Sequence, residues 1–129
     1  MPSKTTSRPL VKQALKQGYT TLQQANISSA WLDAEIIMAT ILKKDRAFIL
    51  SHEDYPLTTS QVRKFKNFIK RRKNYEPIAY LTSHKEFYGL EFKVIKDTLV
   101  PRPESELMVE EVLKAFNSKK KTLIIDIGT

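Results

Sequence analysis

Two stretches in the first part of the chain carry apolar residues at helical spacing. The first, Ile27–Lys44, contains neither Gly nor Pro and has apolar side chains on most sides, which predicts a central and buried helix. Ser28 is expected to cap this helix by accepting from free backbone N–H groups. Asp33 and Glu35 fall in its first two turns, where acidic charge favours the positive end of the helix dipole.

The second stretch runs from Ser60 to about Asn74 and is amphipathic. Thr58 followed by Gln61 predicts a capping box at its start. Its apolar face is formed by Val62, Phe65, Phe68 and Ile69, which we expect to be core residues. Its other face is formed by Arg63, Lys64, Lys66, Lys70, Arg71 and Lys73.

Shorter helices are predicted at Leu10–Gln17 and at Arg46–Ser51, the latter capped by Asp45. Together these four segments predict a small helical bundle of about 75 residues, a size that suffices for an independent core. Trp31 is interpreted as a core or inter-helix packing residue. We therefore expect residues 1–75 to fold alone.

The pattern changes after Asn74. Residues 87–94 predict two short strands, with Gly89 supplying the permissive backbone of the turn between them. A helix is then expected to begin at Pro103, because the missing N–H of proline is harmless in a first turn. The apolar stripe of that helix consists of Leu107 or Met108, Val109, Val112, Leu113 and Phe116.

Residues 122–127 form a nearly continuous apolar run, which is typical of a strand buried on both faces of a parallel sheet. Such a strand needs neighbours and a crossover helix. The pattern therefore predicts that residues 76–129 begin an α/β domain whose body is absent, and that residues 122–129 are mobile or packed non-natively. The predicted fold class is mainly α, with the first helix and strand of a truncated Rossmann-like domain.

Charge changes this picture in one respect. The 129 residues carry a net charge of +8, and residues 1–75 hold 14 Lys and Arg against five Asp and Glu. A basic face of this kind can attract an acidic partner or nucleic acid, and a merely solvated helix face is the alternative. The basic helix lacks Arg, Asn or Gln placed to read bases and has no interleaved exposed aromatics, so specific nucleic-acid recognition is not expected.

Composition excludes several classes of protein. The absence of cysteine excludes disulfide scaffolds, thiol catalysis and Cys-based zinc sites. No apolar run approaches the roughly 20 residues needed to span a bilayer, and the polar start does not resemble a secretory signal. A cytoplasmic protein without membrane association is the expectation. His52 and His84 lie in no motif, and no metal site is predicted.

Two features suggest binding chemistry. Arg102 lies between two prolines, which fix the backbone and so the position of the guanidinium; it could hold a carboxylate or pair with Glu104 or Glu106, and a purely structural ion pair is the alternative. Asp126 and Gly128 follow the apolar run in an Asp-x-Gly pattern. This pattern commonly opens a Gly-rich ligand loop, and a plain strand terminator is the alternative.

Four segments together resemble the HemK/PrmC family of release factor glutamine methyltransferases. They are Glu76–Leu81, Phe87–Phe92, Leu99–Glu106 with its Pro-Arg-Pro-Glu core, and Ile125–Thr129. The segment Leu-Asp-Ala-Glu at residues 32–35 resembles that family as well.

The resemblance implies an S-adenosylmethionine-dependent enzyme that modifies the glutamine of a Gly-Gly-Gln loop in peptide chain release factors. It divides the chain into a substrate-recognition domain (1–75), a hairpin connector (76–98) and the start of the methyltransferase domain (99–129). It assigns Asp126, Gly128 and Thr129 to the cofactor loop, and places Arg102 and Glu104 beside the cofactor. A monomer that docks release factors is implied.

The resemblance has three departures. Ser83 stands where the family has Gly, Ser105 replaces Thr, and the family's Asn-Pro-Pro-Tyr segment is missing. That segment positions the substrate amide, so no catalytic residue is assigned and the chain by itself is expected to be inactive. Two alternatives stay open: a stand-alone basic module that binds protein or RNA, and part of a related methyltransferase acting on a ribosomal protein or on adenine.

Overall fold

A computed structural model describes residues 8–116 and 120–127 of the chain. The chain divides into two compact units, Met1–Ser83 and His84–Thr129, and each is described by itself. The fold is mainly α with one small hairpin, as predicted. The domain boundaries expected after residues 75 and 98 stay predictions.

The described part of the first unit is built from helices around a central one. The helices are α1 (Val11–Gln24), α2 (Ala30–Leu42), α3 (Arg46–Ser51), α4 (Thr59–Lys73) and α5 (Ile78–Thr82). Helix α2 packs against each of the other four, which confirms the prediction that the most apolar segment lies at the centre. Its side chains Ala34, Ile37 and Met38 are fully buried.

The core of this unit draws on every helix. Its fully buried members outside α2 are Val11, Leu22, Ile49 and Leu57, and Phe65, Ile69 and Leu81 are at most 4% exposed. Helix α1 runs seven residues beyond its predicted end at Gln17, and Gly18 in its middle lies close to Phe65 and Ile69 of α4. Helix α5 was not predicted; five residues give too little periodicity to detect.

The helix starts are only partly as predicted. Asp45 caps α3 by accepting from the Phe48 N–H at 2.7 Å, and Thr58 and Gln61 form the predicted capping box. The expectation that Ser28 caps α2 is wrong. The cap residue is Ser29, and Ser28 lies in a backbone turn closed by the Ala30 N–H and the Ile27 carbonyl.

Trp31 is an inter-helix packing residue rather than a core residue. It is 45% exposed and meets Tyr19 of α1 edge to face, with ring centroids 5.4 Å apart. This arrangement is the packing role predicted for it and joins the start of α2 to the middle of α1.

The second unit begins with an antiparallel hairpin. Strands β1 (His84–Phe87) and β2 (Leu90–Lys93) pair with Phe87 opposite Leu90. Tyr88 and Gly89 both have positive φ, as the tight turn of a two-residue hairpin requires. The first strand therefore begins at His84, three residues earlier than predicted. A single 3₁₀ turn from Pro103 leads into α6 (Glu106–Ala115), which confirms the helix predicted there.

Residues 122–127 do not form the predicted strand. They have no strand partner, and Leu123 and Ile127 are 85% and 90% exposed. A strand exists only through hydrogen bonds to a neighbour, and β1 and β2, the strands of the described residues, pair with each other. None of the described helices is long and apolar enough to cross a bilayer.

Candidate functional site

Three of the residues assigned to the cofactor by resemblance, Arg102, Glu104 and Asp126, lie in exposed positions of the second unit. Arg102 precedes the 3₁₀ turn, Glu104 lies within it, and Asp126 belongs to the irregular segment 121–127. Within the described residues, no hydrogen bond or ion pair joins these three side chains. Gly128 and Thr129 lie outside the described residues.

The ion pair considered for Arg102 does not form among the described residues. The Glu106 carboxylate instead accepts from the backbone N–H of Tyr88 at 2.9 Å, which ties the hairpin turn to the start of α6. Glu104 and Arg102 are both exposed to solvent. Around Arg102, Glu104 and Asp126, the described residues thus provide exposed polar groups but no buried donors or acceptors fitted to S-adenosylmethionine.

Asp33 and Glu35, which lie in the first two turns of α2 as predicted, are also buried members of ion pairs. Glu35 is 2% exposed, and its Oε2 accepts from both Nε and Nη2 of Arg46, at 3.1 and 2.6 Å. Asp33 is 4% exposed and accepts from Arg72 Nε at 2.7 Å and from the Ser29 hydroxyl at 2.9 Å. Both carboxylates are therefore satisfied by partners, which is the structural role expected of buried charge.

The end of α4 is fastened to the segment that follows it. Arg71 forms a two-point ion pair with the Glu76 carboxylate, and Arg72 donates to the Glu76 carbonyl at 3.1 Å. The Tyr75 hydroxyl donates to the Ala25 carbonyl at 2.6 Å. These bonds hold the chain as it turns from α4 into α5.

The pairing of Glu76 predicts a pH effect on stability. The hydrogen bond from Arg71 lowers the pKa of Glu76 below its ordinary value of 4.5, so the stabilisation is complete above that value and is lost as the pH falls through the lowered pKa. We expect Glu76→Gln to lower the free energy of unfolding by about 0.5 kcal/mol at neutral pH, because the pair is partly exposed. Urea unfolding of both proteins at neutral pH and at about pH 3 should show this difference shrinking in acid. A difference that is constant with pH would contradict the assignment.

A groove lies between α1 and α4, with a cavity volume of about 860 Å³. We call it the α1–α4 groove. Helix α1 lines it with Gln13, Ala14, Gln17, Gly18 and Thr21. Helix α4 lines it with Val62, Phe65, Lys66, Ile69, Lys70 and Lys73. Its lining holds three lysines and no acidic residue, so the groove is positively charged.

Metal chemistry has no support in the described residues. Over residues 8–116 and 120–127, no group of three or more His, Asp or Glu side chains is arranged to hold a metal ion. His52 stacks on Phe48 with ring centroids 4.0 Å apart, and His84 lies 3.3 Å from the Glu91 carboxylate on the hairpin. Both histidines thus have local structural contacts.

Sequence comparisons identify relatives of the helical unit and of the segments after it. The chain is 39% identical over 118 residues to a release factor glutamine methyltransferase of Clostridium botulinum, covering 92% of this chain and 42% of that protein. It is 43% identical over 98 residues to a release factor glutamine methyltransferase of Coxiella burnetii, covering 76% of this chain and 35% of that protein.

These alignments cover only part of each relative. The chain spans about two fifths of the length of the curated relatives it matches. The PrmC N-terminal domain family matches residues 13–82, which begin in α1 and end with α5. More than half of the 129 residues lie in this match, and the matched segment coincides with the helices of the first unit. The chain belongs to the PrmC N-terminal domain family.

Proposed function

We propose that the protein acts in the methylation of the glutamine side-chain amide of peptide chain release factors, and that this chain supplies the helical domain that docks the release factor. The observation that carries the proposal is the coincidence of the family match at residues 13–82 with the helical unit that ends at Ser83. The relatives' names, which state release factors as substrates, support it.

The chemistry would be methyl transfer to an amide nitrogen, with S-adenosylmethionine as the proposed methyl donor. An amide nitrogen is a poor nucleophile because its lone pair is delocalised. The reaction therefore depends on groups that orient the nitrogen in line with the methyl group and stabilise the reacting form. We propose that Arg102, Glu104 and Asp126, with Gly128 and Thr129, belong to the cofactor side of such a site in the whole protein.

The setting of the proposed activity follows from its substrate. Release factors act in translation, so we propose a cytoplasmic protein. We also propose a monomer that does not read nucleic acid sequence. Arg71 and Arg72 of the basic helix are engaged in ion pairs with carboxylates, which leaves Arg63 as the arginine of that helix without an ion pair among the described residues.

Binding and catalysis are tested separately. In a binding assay, the 129-residue chain should associate with a purified bacterial release factor and not with an unrelated acidic protein of similar net charge. The second protein is the control for attraction to the net charge of +8. Equal binding to both would contradict the docking role.

The catalytic assay uses tritiated S-adenosylmethionine and the same release factor. We expect no methyl transfer above background from residues 1–129 alone, because the described residues hold no group arranged to orient the glutamine amide. Turnover by this chain would overturn that expectation, and mass spectrometry of the Gly-Gly-Gln peptide would then locate the methyl group.

A further inference from the structure

We propose that the α1–α4 groove binds an acidic segment of the protein partner that carries apolar side chains on one face. The inference rests on the proposed function, since it names the surface of the helical unit that would perform the docking. It is supported by the residues that line the groove, by the absence of described ion pairs at its lysines, and by the apolar residues at its base.

The floor of the groove is apolar and its two walls are polar. Phe65 and Ile69 of α4 meet α1 at Gly18, where a Cβ atom would lie 2.8 Å from the Phe65 ring. Ala14 and Val62 extend this floor. Ala14, Phe65 and Ile69 are at most 6% exposed and Val62 is half-buried, so apolar side chains of a partner would pack mainly against Val62.

One wall presents unpaired positive charge. Lys66, Lys70 and Lys73 recur at helical spacing on one face of α4, and all three are exposed. None of them forms an ion pair with a carboxylate of residues 8–116 or 120–127. Of the three arginines of the same helix, Arg71 and Arg72 are paired with Glu76 and Asp33, and Arg63 forms no ion pair with a described carboxylate. Two of the arginines of α4 are thus used internally, and the three lysines that line the groove are left for an external carboxylate partner.

The opposite wall adds neutral hydrogen-bonding groups. The exposed Gln17 side chain makes no hydrogen bond to a described group, so its amide is free to donate. Gln13 is different, because its side-chain oxygen accepts from the Leu10 N–H. Lysine ammonium groups on one side and an amide on the other can both donate to carboxylate oxygens, so the charge of the groove is complementary to Asp and Glu side chains.

The floor favours an acidic peptide over RNA. A phosphodiester backbone laid into the groove would place charge over Val62 and Ile69, which desolvates phosphate without pairing it. Phe65 is 2% exposed and therefore offers no face for base stacking. A peptide with apolar side chains toward the floor and carboxylates toward the lysines satisfies both parts of the groove.

The test compares two charge reversals on the same helix of the full chain. Lys66→Glu with Lys70→Glu changes the groove, and Arg63→Glu with Lys64→Glu makes the same change in net charge at exposed residues that do not line it. Circular dichroism melts of both variants establish that they fold. We expect the groove variant to bind the release factor at least about tenfold more weakly and the control variant to lose less than about threefold.

A second probe separates this inference from the proposed function. It is a fluorescent 18-residue peptide with leucine at helical spacing on one face and glutamate on the other, measured by anisotropy beside a single-stranded RNA of similar charge. If the release factor fails to bind the unaltered chain but the peptide binds and loses about tenfold with the groove variant, the groove inference stands and the proposed partner is wrong.

Three outcomes would overturn the inference. One is release factor binding that both variants weaken equally, which would show attraction to overall charge. Another is failure of the acidic peptide to bind the unaltered chain. The third is tighter binding of the RNA than of the peptide, lost in the groove variant, which would make nucleic acid the occupant.

Discussion

Replacing Arg72 with methionine is expected to lower the free energy of unfolding by about 3 kcal/mol. The substitution leaves the Asp33 carboxylate buried with only the Ser29 hydroxyl as a partner, and it removes the bond from Arg72 to the Glu76 carbonyl. A buried charge without its counter-ion destabilises the fold by more than the ion pair stabilised it. The decrease in the free energy of unfolding should therefore exceed the decrease caused by replacing any exposed arginine. Urea unfolding followed by circular dichroism measures this decrease in the free energy of unfolding.

The matched control for this prediction is Arg63→Met, on the same helix at an exposed position without a described ion pair. It should change stability by less than about 0.5 kcal/mol. Adding Asp33→Asn to Arg72→Met should recover part of the loss, because the stranded charge is then gone. Two results would show that the interpretation of the Asp33–Arg72 contact is wrong. One is that Arg72→Met changes the free energy of unfolding as little as Arg63→Met. The other is that the change in the double variant equals the sum of the changes in Arg72→Met and Asp33→Asn.

Replacing Gly18 with valine is expected to lower the free energy of unfolding by about 2 to 3 kcal/mol. The added Cβ would lie 2.8 Å from the Phe65 ring and 3.0 Å from Ile69 Cδ1. Both neighbours are side chains that are at most 4% exposed and packed in the core, so they must leave their packed positions to relieve the clash. This shift disturbs the packing between α1 and α4.

Three companion variants make the Gly18 result specific. Thr20→Val introduces the same residue at an exposed position of α1 and should be nearly neutral. Gly18→Ala should lose less than Gly18→Val, because the higher helix propensity of alanine, about 1 kcal/mol, offsets part of the clash. Adding Phe65→Leu to Gly18→Val should restore part of the stability. Equal stability of Gly18→Val and Thr20→Val would refute the close approach.

The elements that sequence analysis predicted correctly are those specified by neighbouring residues. The apolar spacing of α2 and α4, the capping box of Thr58 with Gln61 and the Gly89 turn each depend on residues within a few positions of one another. The choice between Ser28 and Ser29 as a cap is of the same local kind, yet it failed. The helix begins one residue later than expected, and the Ser29 hydroxyl at its cap position donates to the Asp33 carboxylate rather than accepting from a backbone N–H.

The features that were missed depend on residues distant in sequence. Asp33 meets an arginine 39 positions away, and nothing in the α2 pattern distinguishes a buried carboxylate from an exposed one at the helix start. The only signal available was its place in a helix that is apolar on most sides.

The α1–α4 groove was not predicted either, because it depends on how two helices pack. The strand expected at residues 122–127 fails for a related reason, since a strand is a property of at least two segments.

The packing of α5 bears on how the helical unit should be isolated for experiments. Helix α5 packs on α2 and α4, and its Leu81 belongs to the same core as Ile37 and Phe65. An expression boundary at residue 75 would strip away this helix together with Glu76, the ion-pair partner of Arg71. A recombinant fragment ending at Ser83 would keep both, and is the natural starting point for crystallisation or NMR of this unit.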